Sequence, residues 1–174
     1  MSEEELIEVK PEFMGIQNAG YPGAFPPKVE ARIRKLVASP CLHLFSGRSK
    51  IGDVRVDLER PEATVNMDVF DYLIRGPGCD RQWKWILADP PYRLTEPNRK
   101  LLGHAQTYSV AANIVLRSAL SDFFQRYTEN ILWFDQCIPP IKGFRWEKVW
   151  LYHLWSWGNI RALTWLKRKG ERLA

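Results

Sequence analysis

Trp85-Ile86-Leu87-Ala88-Asp89-Pro90-Pro91-Tyr92 passes from four apolar residues to an acid, two prolines and an aromatic ring. Proline cannot continue a hydrogen-bonded ladder and presets φ, so the stretch reads as a buried strand that breaks into a rigid loop. With that backbone fixed, the Asp89 carboxylate and the Pro90 carbonyl can converge as two acceptors on one incoming NH2 group. Tyr92 offers a ring for stacking on a flat substrate. A planar amine or amide suits such a site.

Upstream, three further short strands are expected at 41–45, 54–57 and 64–66. The first runs into Ser46-Gly47-Arg48-Ser49, a glycine turn of the kind that lets backbone N–H groups approach a nucleotide at the first strand of an α/β sheet. The second ends on Asp57, where such folds bind ribose hydroxyls. About eight residues separate Phe45 from Val54 and about six separate Asp57 from Thr64, whereas parallel neighbours normally need a crossover of about a dozen. Helices between these strands are therefore absent or reduced to a turn. An antiparallel meander is the alternative, although the Asn-Gly type turns of tight hairpins are missing. If the sheet is parallel, its bare face needs covering by the N-terminal helix, the C-terminal aromatics or a second subunit, as in a homodimer or with a partner subunit.

Before the first strand, Pro26-Pro27 suits the first turn of a helix over 28–37, with Val29, Ile33, Leu36 and Val37 on one face. A short helical turn is expected at 71–74. Beyond the Asp89 loop a long amphipathic helix is expected over 109–127, then a strand at 131–134 stopped by Pro139-Pro140. Two last strands, at 147–153 and 161–166, flank a Gly158-Asn159 turn. Six of the eight tryptophans lie from Trp133 onward. Core packing outweighs base stacking as their role, and Trp133 and Phe134 must point to opposite faces.

With 174 residues and 45% hydrophobic content, one domain is expected over 15–174, behind a mobile acidic arm or short helix at 1–14. No apolar run is long enough for a membrane span, and the acidic start is unlike a signal peptide, so a cytoplasmic protein without a membrane partner is expected. Cys41, Cys79 and Cys137 lack metal or redox spacing and read as reduced, with Cys41 and Cys137 as buried filler. No metal is expected. A net charge of +5 favours a polyanionic partner, and basic residues crowd the C-terminal part from Lys142 to Arg172.

Asp89-Pro90-Pro91-Tyr92 resembles the D/N-P-P-Y/F motif of the S-adenosylmethionine-dependent amino-methyltransferases. That resemblance implies a Rossmann-like class I methyltransferase sheet, mostly parallel, with a C-terminal antiparallel hairpin. It implies Asp89, Pro90, Pro91 and Tyr92 as the catalytic set acting on the exocyclic amine of a nucleobase. Phe45-Ser46-Gly47 resembles the family's F-x-G-x-G cofactor motif, with Ser49 in place of the second glycine. Tyr21-Pro22-Gly23-Ala24-Phe25-Pro26-Pro27 resembles the segment that helps hold the methionine part of the cofactor, through Tyr21 and Phe25. Asp57, Asp68 and Val69 complete the implied cofactor site, with Asp68 at the adenine amine. Arg93, Arg99 and Lys100 fall in the loop expected to close over the target and meet phosphates. The implied partner is nucleic acid, DNA before RNA. An RNA base methyltransferase, a protein-glutamine methyltransferase and a catalytically degenerate binding subunit remain the alternatives.

Overall fold

The computed structural model describes residues 9–13, 25–90, 114–153 and 160–170. In chain order the strands are β1 (Val9–Phe13), β2 (Cys41–Leu44), β3 (Val54–Asp57), β4 (Val65–Asn66), β5 (Trp85–Ala88), β6 (Asn130–Asp135), β7 (Phe144–His153) and β8 (Ile160–Arg168). The helices among the described residues are α1 (Pro27–Leu36), α2 (Val69–Arg75) and α3 (Ile114–Tyr127). Seven strands follow the order β7-β8-β6-β5-β2-β3-β4, and β1 adds an eighth beside β7. Every pairing is parallel except those of β8, which runs antiparallel to both β6 and β7. The chain is thus α/β with a mostly parallel sheet and an antiparallel C-terminal pair. A meander is ruled out, because β2–β3 and β3–β4 are parallel.

No helix intervenes in either of those two crossovers, and short strands explain how that is possible. Four residues rise only about 13 Å, so the link at 45–53 has ample length to return across a sheet face. Asp53 fixes its end to the start of β2: Cys41 N–H donates to Asp53 Oδ2 at 2.7 Å, and Asp53 N–H donates to the Cys41 carbonyl at 2.8 Å. Ile51, within the link, is buried in the core on that face. Gly52 passes there at φ 100°, where an added Cβ would also stand 3.1 Å from His43 Cβ.

Two cores follow from strand alternation. Leu42, Leu44, Ile86, Ala88, Ile131 and Trp133 pack with Tyr72 of α2 and Leu120, Phe123 and Phe124 of α3. On the opposite face Cys41, Trp85, Leu87, Leu132 and Phe134 pack with Phe25, Val29 and Ile33 at α1 and with Ile51. Trp133 and Phe134 do part to opposite faces. Over β2, β5 and β6 the second face is therefore buried by α1 and the link, without a second subunit.

Local sequence accounts for the helices. Pro27 sits at the start of α1, Glu30 lies in its first turn and Arg34 and Lys35 in its last, matching the helix dipole. Asp68 caps α2 by accepting from Phe70 and Asp71 N–H. At the far end of α3 the Arg168 guanidinium donates to the Phe124 and Thr128 carbonyls, so this cation serves the helix terminus.

Three expectations need correction. Val9–Phe13 forms an edge strand against β7, where local periodicity indicated only an arm or helix. The 71–74 turn is a full helix from Val69. Cys137 is exposed, because it lies in the loop past the end of β6, where its Sγ–H donates to Asp135 Oδ2 at 3.4 Å. The stretches 14–24, 91–113 and 154–159, including the start of the expected 109–127 helix and the Gly158-Asn159 turn, lie outside the described residues. No described helix is long and apolar enough to cross a membrane.

Gly76 ends α2 against the ring of fully buried Tyr72, and an added Cβ would stand 2.1 Å from Tyr72 Cδ2. Gly76→Ala is therefore expected to destabilise the fold by about 2 kcal/mol through overpacking. A urea midpoint equal to the parent's would show that the ring yields freely.

Candidate functional site

From β2 the chain steps outward to β3 and β4, then returns to β5 on the other side of β2 and continues to β6. Strand order thus reverses between β2 and β5. In open α/β sheets, ligands bind in the crevice outside the carboxyl ends of the strands at such a reversal. The loop after β2 and the loop after β5 flank it. The end of β2 is bonded to the start of the loop after β5: Asp89 N–H donates to the Leu44 carbonyl at 3.3 Å.

On the β2 side the backbone turns sharply. Phe45 and Gly47 both adopt left-handed conformations, at φ 59° and 54°. Glycine does so freely; phenylalanine does so at a cost of about 1–2 kcal/mol, and such strain gathers at ligand-binding turns. Ser46 N–H donates to the Val56 carbonyl at 3.0 Å, and Ser49 N–H to the Ser46 carbonyl at 2.9 Å. Ser46 is buried, yet among the described residues its Oγ has no hydrogen-bond partner.

Asp57, at the end of β3, binds the turn itself. Gly47 N–H donates to Oδ2 at 2.9 Å, and Glu59 and Arg60 N–H donate to Oδ1 at 3.1 Å. With the Met67 N–H on the Asp57 carbonyl at 3.1 Å, this residue ties together the ends of β2, β3 and β4. A carboxylate accepts about four hydrogen bonds, so the three N–H groups leave one acceptor position. Asp57→Ala should release these amides: hydrogen exchange at Gly47, Glu59 and Arg60 is expected to accelerate at least about tenfold, since charged hydrogen bonds are worth about 1.5 kcal/mol or more. Unchanged protection would show that the turn holds itself.

The other sequence-derived positions divide. Asp68 lies at the same end of the sheet, past β4, with Oδ1 occupied by the α2 cap at 2.8 Å and 3.4 Å. Val69 is buried in the core beneath α2. Phe25 is buried too, stacked on His43 with ring centroids 5.7 Å apart and edge-on to Phe134, which is a packing position. Asp89 is half-buried and Pro90 buried at the crevice. Tyr21, Pro91, Tyr92, Arg93, Arg99 and Lys100 lie outside the described residues.

Two groups near the crevice escaped sequence reasoning. Asp135 ends β6 buried, one strand beyond β5, accepting from Gln136 N–H at 2.6 Å and from Trp133 Nε1–H at 3.2 Å. Its signal was an acid closing an apolar strand, the pattern already read at Asp57 and Asp89. His43 is fully buried in β2, its Nδ1–H donating to the Ile51 carbonyl at 3.0 Å. Cys41 is no nucleophile: burial, and then the Asp53 charge, push its thiol up to about 12. Among the described residues, no group of three or more His, Cys, Asp or Glu is placed to hold a metal. Compared with protein-family models and with curated proteins, the chain matches none.

Proposed function

We propose that the chain is an S-adenosylmethionine-dependent N-methyltransferase acting on the exocyclic amine of a nucleobase, in DNA before RNA, on a Rossmann-like sheet. The observation that carries this reading is the reversal of strand order between β2 and β5, with the Phe45–Gly47 turn on one side and Asp89-Pro90 on the other. Two stretches far apart in sequence, one resembling a cofactor motif and the other an amine-binding motif, follow the neighbouring strands β2 and β5, which supports this reading.

The residues present fit the cofactor. Phe45, Ser46 and Gly47 would hold it, with the buried Ser46 hydroxyl, which has no partner among the described residues, supplying a polar contact. Asp57 would keep the turn in shape and offer its one remaining acceptor position. When bound, S-adenosylmethionine supplies an electrophilic methyl group. The chain's part is to orient the acceptor amine: the Asp89 carboxylate and Pro90 carbonyl accept its two hydrogens. That localises the nitrogen lone pair and stabilises the positive charge that develops as it reacts. Tyr92 would stack on a base turned out of its helix.

A non-catalytic binding subunit is the second reading, favoured by the largely occupied Asp57 carboxylate. Titration calorimetry with S-adenosylmethionine separates the two. Heat of binding that disappears in Ser46→Val with Gly47→Val supports the methyltransferase reading, and absence of binding to the parent chain overturns it.

A further inference from the structure

We propose that the end of the sheet opposite the crevice is a separate surface that binds the phosphate backbone of duplex DNA. β5, β6 and β7 start at this end and β8 finishes there, whereas Asp89 lies past the other end of β5. Lys84, Arg126, Lys142, Arg145, Lys167 and Lys169 are brought together here from four distant parts of the sequence, and all six are exposed. The register is explicit. Arg145 stands opposite Lys167, and Lys167 opposite Asn130. Asn130 Nδ2–H donates to the Lys84 carbonyl at 3.3 Å, Lys169 N–H to the Gly143 carbonyl at 2.9 Å, and Gln82 Nε2–H to the Arg126 carbonyl at 3.0 Å.

Three strand spacings make this surface about 15 Å wide. Its acids are fewer: Glu147 bonds Arg145 at 3.2 Å, and Asp80 and Glu129 are exposed. Like charges directly opposed across strands, as Arg145 and Lys167 are, cost stability in the isolated protein, and an anion laid across them reverses that cost. Trp146 lies among them 41% exposed, its indole Nε1–H fixed on the Pro139 carbonyl at 3.1 Å. Ten-residue β7 starts at this surface and spans about 30 Å, so the charge cannot belong to the crevice. Backbone phosphates, repeated and sequence-independent, match a broad exposed cationic edge.

Fluorescence anisotropy of a labelled DNA duplex tests the surface without reference to methyl transfer, so failure of the methyltransferase reading leaves it standing. Lys142→Gln/Lys167→Gln/Lys169→Gln is expected to weaken binding at least roughly tenfold at about 0.1 M salt and to reduce the slope of log K against log salt by about 2 to 3. Lys84→Gln/Arg126→Gln, on separate elements, should reduce the slope by about 2, which guards against a folding defect in the triple variant. Parent-like affinity and slope in both variants, no duplex binding by the parent at low salt, or tighter binding to single-stranded RNA would each overturn the proposal.

Discussion

Asp89→Ala is expected to lower the rate of methyl transfer by about a hundred- to a thousandfold while leaving the fold and cofactor affinity in place. That is the usual loss when a group aimed at developing charge is removed from an active site. The position of residue 89 is held by its backbone, through the N–H bond to the Leu44 carbonyl and the prolines that follow, and none of these depends on the side chain. The substitution therefore removes the carboxylate and keeps the backbone bond that places residue 89. Asp89→Asn keeps a carbonyl acceptor of the same shape and should retain more activity than alanine. Single-turnover rates at saturating cofactor measure this directly. An alanine variant as fast as the parent would remove Asp89 from the chemistry.

The folded protein should lose about 3 kcal/mol of stability between pH 6.5 and pH 4 through His43 alone. Its ring is fully buried in β2. Burial is the largest cause lowering its pKa, from 6.5 to about 4; the Ile51 carbonyl opposes the shift, Arg55 adds to it and Asp57 opposes it. The sign follows from proton counting. Between the two values the unfolded chain binds a proton that the folded chain refuses, so stability falls as pH falls through this window and levels off below about 4. Because Nδ1–H is committed to Ile51, the incoming proton must go to Nε2, which is buried with no hydrogen-bond partner among the described residues. Urea midpoints measured from neutral to acid pH, for the parent and His43→Leu, isolate the contribution from that of the carboxylates. A leucine variant with the parent's pH dependence would contradict it.

Much of the architecture was legible because the strands are short apolar runs ended by Gly, Asp or Pro. Cys41–Leu44, Val54–Asp57 and Trp85–Ala88 stand where the sequence indicates, and spacing alone announced that the first crossovers lack helices. What could not be read was pairing at a distance. Asp53 looks like an ordinary loop acid until the fold brings it to the Cys41 amide. β1 exists only through β7, far along the chain, and so left no local period. At the site, Asp57 and Asp89 were visible as acids closing strands. The inward commitment of Asp57 to Gly47, Glu59 and Arg60 was not, because a sequence does not say which donors reach a carboxylate first. Similarly, the basic residues of the C-terminal part were plain, but only the register sends Arg145 and Lys167 to one edge, commits Arg168 to the end of α3 and puts Arg161 at the opposite end, over the Phe134 ring.

The most direct test of an amine methyltransferase at this crevice is transfer of labelled methyl from S-adenosylmethionine into separate DNA, RNA and protein pools, with Asp89→Ala run beside the parent. Label in the DNA pool that is lost with Asp89→Ala is the predicted result. Label in no pool, or label that persists undiminished without the Asp89 carboxylate, would contradict it.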